Sequence, residues 1–218
     1  MKKSRAEVAE TRNRIVDSAS RLFKSQGIES TGISEIMAAA GLTPGGFYRH
    51  FPSKEALVAV ACASSMEVLV ESAETASEGG AESFLRHLED FLSAEYRDDT
   101  LGGCPLVAMG SELVRSNPDT RKAASDGFQK LTDIIAKWMP VGDASKAKDA
   151  AIFTLISMIG AVTMSRVVDD PELSNRILLV TKERLGSGAT PIEKVERRSD
   201  EGPAIESNPW ISLVMEGS

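Results

Sequence analysis

A run of helix-breaking residues most limits what this chain can fold into. In Gly41-Leu42-Thr43-Pro44-Gly45-Gly46-Phe47-Tyr48-Arg49-His50-Phe51-Pro52, Gly41 ends one helix. Thr43-Pro44 starts another, with a capping hydroxyl before a proline at the first helical position. Pro52 stops that helix after about Phe51. Upstream, Ile15, Ala19, Leu22 and Phe23 follow i, i+4, i+7, i+8 spacing, and Gly27 stands where a C-terminal glycine closes a helix. Residues 33–40 form a second, short helix entered at Thr31-Gly32. Ser53 caps a fourth, from Lys54 to about Ala76, which ends near Gly79-Gly80. Two short helices joined by Gly41-Leu42-Thr43 make a helix-turn-helix, a motif that lays its second helix in the major groove of DNA.

The charge distribution fits that reading. Over residues 1–55, nine Lys and Arg face six acids for a net charge of +3, whereas the whole chain carries -7. A basic head on an acidic body suits a polyanion at the head alone. Only two cysteines, Cys62 and Cys104, and no signal-peptide pattern lead us to expect a reducing cytoplasm. The longest charge-free run, residues 150–165, is shorter than the ~20 apolar residues that cross a bilayer, so a buried helix and no membrane are expected.

Helical spacing continues to about residue 185, with helices expected at 81–96, 105–116, 118–139, 145–168 and 172–185. No stretch alternates long enough for a strand. The expected fold is all-α. A three-helix head spans residues 1–53, and a helical body for effector binding and dimerisation spans 54–185, linked through the fourth helix. Residues 186–218 read as a flexible polar tail, although Trp210-Ile211-Ser212-Leu213-Val214-Met215 is apolar enough to dock.

The head's residues have a ready chemical reading. Open N–H groups at a helix start suit a phosphate, and Gly45 and Gly46 let that backbone approach closely, at about 1 kcal/mol each relative to Ala. Phe47 and Phe51, four apart, face inward, while Tyr48, Arg49 and His50 include outward positions. Lys54 suits another phosphate; such contacts position a domain, and base contacts specify sequence. A purely structural helical hairpin would carry the same turn, so the turn by itself leaves both readings open. Taken together, Thr31, Ile36, Ala40-Gly41, Gly45, Tyr48, His50-Phe51, Lys54 and Leu57 resemble the TetR family of bacterial transcriptional regulators, over about residues 10–60.

That resemblance implies an all-helical homodimer that binds double-stranded DNA at a palindromic operator. It implies a repressor that releases DNA when a small molecule binds. The family's DNA contacts fall on Thr31, Thr43, Gly45, Tyr48, His50 and Lys54, and Pro44, Gly46 and Arg49 stand among them. Gly46 occupies a position where the family more often has a small hydroxyl or alanine, and Pro44 replaces a frequent lysine. Readout is therefore expected to lean on Thr43, Tyr48 and Arg49.

In the body, residues 150–168 are apolar on nearly every face and need cover all round, which a subunit interface supplies as readily as a core. Gly160 and Ala161 permit close helix approach. With the amphipathic stretch 172–185, the expected dimer interface comprises Phe153, Ile156, Gly160, Ala161, Met164, Ile177 and Val180, a four-helix arrangement that resembles the family's usual dimer. Two heads would meet half-sites one or more DNA turns apart, at ~34–36 Å per turn.

In Gly102-Gly103-Cys104-Pro105, the proline takes the first helical position and leaves Cys104 at the N-cap. The helix dipole and open N–H groups there lower a thiol's pKa. The segment resembles one found in a subset of TetR-type regulators, some responsive to electrophiles. Cys104 is thus a candidate thiol sensor, with Arg97, His87 or Arg115 as candidate helpers. It also reads as a small pocket-lining residue, inert if buried.

The candidate pocket comprises Leu69, Phe84, Leu88, Tyr96, Cys104, Leu106, Met109, Phe128, Phe153 and Met158, with Met164 and Trp138 beside them. Without concentrated charge, it suits an apolar or aromatic effector. An enzyme built on Cys104 and His87 would need a third residue to orient the base. The chain has no Gly-rich phosphate loop, no HExxH and no Cys/His cluster with metal spacing. Neither catalysis nor a cofactor or metal is expected. A helical adaptor for another protein would have no use for the basic head.

Overall fold

The computed structural model describes residues 4–99 and 103–186, so Gly102 and the apolar segment Trp210 to Met215 lie outside it. Among the described residues every regular element is helical: α1 (Arg5–Gln26), α2 (Ile33–Ala39), a 3₁₀ helix (Pro44–Arg49), α3 (Lys54–Glu78), α4 (Ala81–Phe91), α5 (Ala94–Asp98), α6 (Pro105–Leu113), α7 (Pro118–Ala136), α8 (Ala144–Val167) and α9 (Pro171–Gly186). Met1–Glu183 makes one compact unit. Of the second, Arg184–Ser218, only the last residues of α9 are described.

Local chemistry sets most boundaries. Ser4 and Glu7 form a reciprocal capping box at the start of α1, and Gly27 closes that helix at φ +88°, a conformation that favours glycine. Side chains of Ser53, Asn117 and Asp143 cap α3, α7 and α8 by accepting from backbone N–H groups three residues on. The single helix expected over 81–96 is instead two. Leu92 leaves helical geometry, and the Ser93 hydroxyl accepts from Tyr96 N–H at 3.1 Å, capping α5 as a separate start. A hydroxyl that offers the backbone a local partner competes with continuation of the helix.

The second helix of the helix-turn-helix also differs from expectation. Pro44–Arg49 is a 3₁₀ helix, and the Thr43 side chain makes no capping bond. Six residues with two glycines between prolines are too short and too flexible to settle as α-helix, whereas 3₁₀ geometry suits short pieces.

One buried cluster runs from Ile15, Phe23, Ile36, Phe47, Phe51 and Leu57 in the head through Met66, Phe84, Met109, Leu131 and Leu155. Phe84 stacks on Trp138 with centroids 5.5 Å apart, and Trp138 Nε1 donates to Ser77 Oγ at 2.9 Å. Where α7 crosses α3, a Cβ at Gly127 would fall 2.5 Å from the Met66 methyl, so the helices meet closely only because that residue is glycine. By length and composition α3 and α8 could each cross a membrane. In the fold they are core helices, burying Leu57, Met66 and Val70 on α3 and Ala151, Leu155 and Val162 on α8.

Candidate functional site

The turn after α1 and the two short helices form a rigid support for an exposed ridge. Phe47 is fully buried and Phe51 nearly so; their rings stack 5.9 Å apart, and the Arg12 guanidinium lies 4.5 Å above Phe51. Aromatic anchoring of this kind holds the 3₁₀ helix in place. Tyr48 meets Phe47 edge-on at 5.2 Å yet remains 70% exposed. Thr43, Pro44, Gly45 and Arg49 are exposed beside it, with Gly46, His50 and Lys54 half-buried at the margin. The structure therefore gathers eight of the nine expected DNA-contacting residues along one short segment and the start of α3.

Thr31 is the exception. It is fully buried, and its hydroxyl donates to the Gly27 carbonyl at 2.7 Å. Its side chain fastens the turn and has no surface to offer DNA. Of the DNA contact expected at Thr31, the side chain is thus spoken for within the turn.

The two glycines of the ridge are not required by the fold. A Cβ at Gly45 would meet nothing within 4 Å, and one at Gly46 would touch only the Met37 methyl at 3.5 Å. Neither adopts positive φ. Residues that weaken a helix without serving the chain's own packing leave bare backbone facing outward, a surface to which a phosphodiester can come close.

In the body, Cys104 does stand at the start of α6 with Pro105 in the first position. It is only 2% exposed, and burial pushes its thiol up to about 11. The amides of Val107 and Leu106 and the cations Lys24 and Arg166 act in the opposite direction but are outweighed. The expected lowering by the helix start is thus reversed by desolvation. Cys62, likewise buried and unpaired in any disulfide, is pushed up to about 11.

The expected effector-pocket residues differ in exposure. Phe84 and Met109 are core, with Leu69, Leu88, Leu106 and Phe128 packed against it, and Met158 is buried. Tyr96 lies 4.4 Å from Phe91 and backs onto Gly103, whose φ is +77°. Phe153 is 39% exposed. A cleft of about 430 Å³ opens elsewhere, lined by Ser72, Thr75, Ala76, Ser83, Arg86, His87 and Asp90. It is polar and includes none of the expected lining residues. This cleft lies between α3 and α4.

Two arginines join the segment before Cys104 to the last helices. Arg166 donates to the carbonyls of Arg97, Tyr96 and Asp99 at 2.8–3.1 Å, capping α5. Arg97 in turn donates to Ser174 Oγ and Asn175 Oδ1 at 2.9 and 2.7 Å. Nothing in the local sequence signals this clamp, because its partners lie some seventy residues apart in the chain.

Along α8, Phe153, Ile156, Gly160 and Met164 face outward, with Ile156 51% and Met164 48% exposed. Ala161 instead faces the core at 6%, a correction to the expected interface set. On α9, Ile177 and Val180 are half-buried, and Leu173 and Leu179 are each 47% exposed. A Cβ at Gly160 would meet nothing within 4 Å, so this mid-helix glycine also lacks a purpose within the chain.

Residues 15–61 match the model of bacterial regulatory proteins of the tetR family, and residues 80–175 match the C-terminal domain of LmrA/YxaF-like transcriptional regulators. The HTH-type transcriptional regulator LmrA of Bacillus subtilis is 24% identical over 165 residues, covering 72% of this chain and 86% of that protein. A TetR transcriptional regulator from Chloroflexus aurantiacus has the same fold, with a TM-score of 0.68 and 28% identity over 83% of this chain and 96% of its own. The reduced form of Escherichia coli NemR superposes with a TM-score of 0.70 at 18% identity, covering 82% of this chain and 96% of that one, a likeness of fold.

Proposed function

Because the chain belongs to the TetR family of bacterial regulatory proteins, and is therefore a DNA-binding transcriptional regulator rather than an enzyme, we propose that it is a homodimeric repressor released from its operator by a small apolar molecule. The observation that carries the DNA-reading part is the ridge of exposed Gly45, Tyr48 and Arg49 with half-buried Gly46 beside them, whose glycines the fold itself does not need. On this reading Tyr48, Arg49 and Thr43 reach base edges, Pro44, Gly45 and Gly46 lie close to the backbone, and Lys54 and His50 meet phosphates. Residues 1–53 act as the reading head, and 54–185 as the body that binds effector and the second copy, all in the cytoplasm.

The outward stripe Phe153, Ile156, Gly160 and Met164 supports dimerisation, since water does not favour so long an apolar row on a helix. The second copy brings a second head to the other half of a palindrome. Release follows if the effector binds more tightly to the conformation that fits DNA less well. Sensing through the Cys104 thiol ranks second. The neighbouring cations Lys24 and Arg166 favour it, and burial opposes it more strongly.

The test is fluorescence anisotropy of the full-length protein on DNA from immediately upstream of its own gene, across a salt series with scrambled competitor. Sequence-selective binding that weakens with salt is the expected result. If a genome-wide selection for binding sites also yields nothing selective, the regulator reading fails.

A further inference from the structure

The turn between α1 and α2 is held from outside the head. Glu112, near the end of α6, accepts a hydrogen bond through Oε1 from the Glu29 backbone N–H at 3.0 Å, across 83 residues of sequence. Its carboxylate also lies against Gly27: a Cβ there would fall 3.0 Å from Oε2 and 3.2 Å from Oε1. Gly27 therefore serves twice, adopting φ +88° and leaving room for the acid. From within, the same turn is fastened by the Thr31 hydroxyl on the Gly27 carbonyl.

An N–H in an exposed turn would find water readily, so the fold alone gives no need for a carboxylate there. A charge-assisted bond is roughly twice as strong as a neutral one. It comes from α6, the helix that begins at buried Cys104, and lands on the turn that leads into α2 and the ridge. Lys24, one turn earlier on α1, is half-buried, and α1 and α6 pack against each other.

We infer that Glu112 is a positioning residue for operator recognition: by tying the α1–α2 turn to α6, it fixes the orientation in which the head presents Tyr48 and its neighbours. The inference rests on the proposed reading of the chain as a dimeric repressor. Two heads joined through one body bind a palindrome best when each is already held in the correct orientation, because freedom that must be lost on binding weakens it. A single half-site makes no such demand.

Glu112→Ala and Glu112→Gln in the full-length protein test this. Without DNA, hydrogen exchange at the Glu29 amide is expected to rise about tenfold or more in Glu112→Ala, and far less in Glu112→Gln, whose side-chain oxygen still accepts. On DNA selected with the wild-type protein, Glu112→Ala is expected to weaken binding to the palindrome roughly fivefold while half-site binding stays within about twofold. Glu112→Gln is expected to restore most of the difference. Equal losses on palindrome and half-site would overturn the positioning role, because they would mark damage within the head. Unchanged exchange at Glu29 would remove the tie itself. If the wild-type protein selects no DNA, the regulator reading falls and the positioning role falls with it, whatever the exchange shows.

Discussion

The ridge on the 3₁₀ helix and the outer face of α8 are both exposed, but they differ in almost every chemical respect. The first presents Thr43, bare glycine backbone, the ring and hydroxyl of Tyr48, and the charge of Arg49. The second presents Phe153, Ile156 and Met164 around Gly160. Water solvates the first well, so it can remain open until a polyanion displaces ions and solvent. It solvates the second poorly, which favours permanent cover. In both, glycines stand where the chain's own packing asks for none. On the proposed reading, that bare backbone lets a phosphodiester approach the first face and a second copy's helix approach the second.

The comparison breaks most visibly if the apolar face is made charged. Ile156→Glu with Met164→Glu should leave the fold intact, because both side chains already meet solvent. Burying unpaired carboxylates between two copies would cost several kcal/mol, so dimerisation should be abolished and palindrome binding should fall ~100-fold or more. Analytical ultracentrifugation and anisotropy would check it; a dimer that survives the double change would move the interface elsewhere.

A pair of head variants separates reading from support. Tyr48→Ala should weaken DNA binding by ~1–3 kcal/mol while changing thermal stability by less than ~0.5 kcal/mol, as expected for a residue 70% exposed. Thr31→Val should reverse that order, losing ~1–3 kcal/mol of stability by orphaning the Gly27 carbonyl and sparing DNA contacts in whatever stays folded. Melting curves beside binding isotherms decide between them. Equal behaviour of the two variants would erase the distinction between ridge and support.

Lys54→Ala is the mildest change. It should weaken binding to all sequences alike and flatten the logarithmic salt dependence by about one unit. A salt slope that does not move would take Lys54 off the list of phosphate contacts.

The head was largely legible in the sequence because its determinants are local. Gly27, Gly41, Pro44, Pro52 and Ser53 act on their immediate neighbours, and the structure follows them to within a residue or two. What local reasoning cannot supply there is side-chain direction: Thr31, expected among the DNA contacts, turns inward to Gly27. In the body, helix positions were again readable, apart from the break at Ser93. A pocket is not legible in this way, because whether Leu88 or Phe128 lines a space or fills it depends on residues far away in the chain. The Arg97–Arg166 clamp and Glu112 on Glu29 share that character. For Cys104, the helix start was read correctly, yet the balance against burial could not be struck without knowing what surrounds it.

The burial of Cys104 also gives the molecule a built-in clock. A thiol only 2% exposed and raised to about 11 reacts with an added reagent only when the segment around α6 opens. With reagent in excess, the pace of labelling at Cys104 therefore records how often that region breathes. A small molecule that seals the body against such opening should slow the clock, even when no DNA is present.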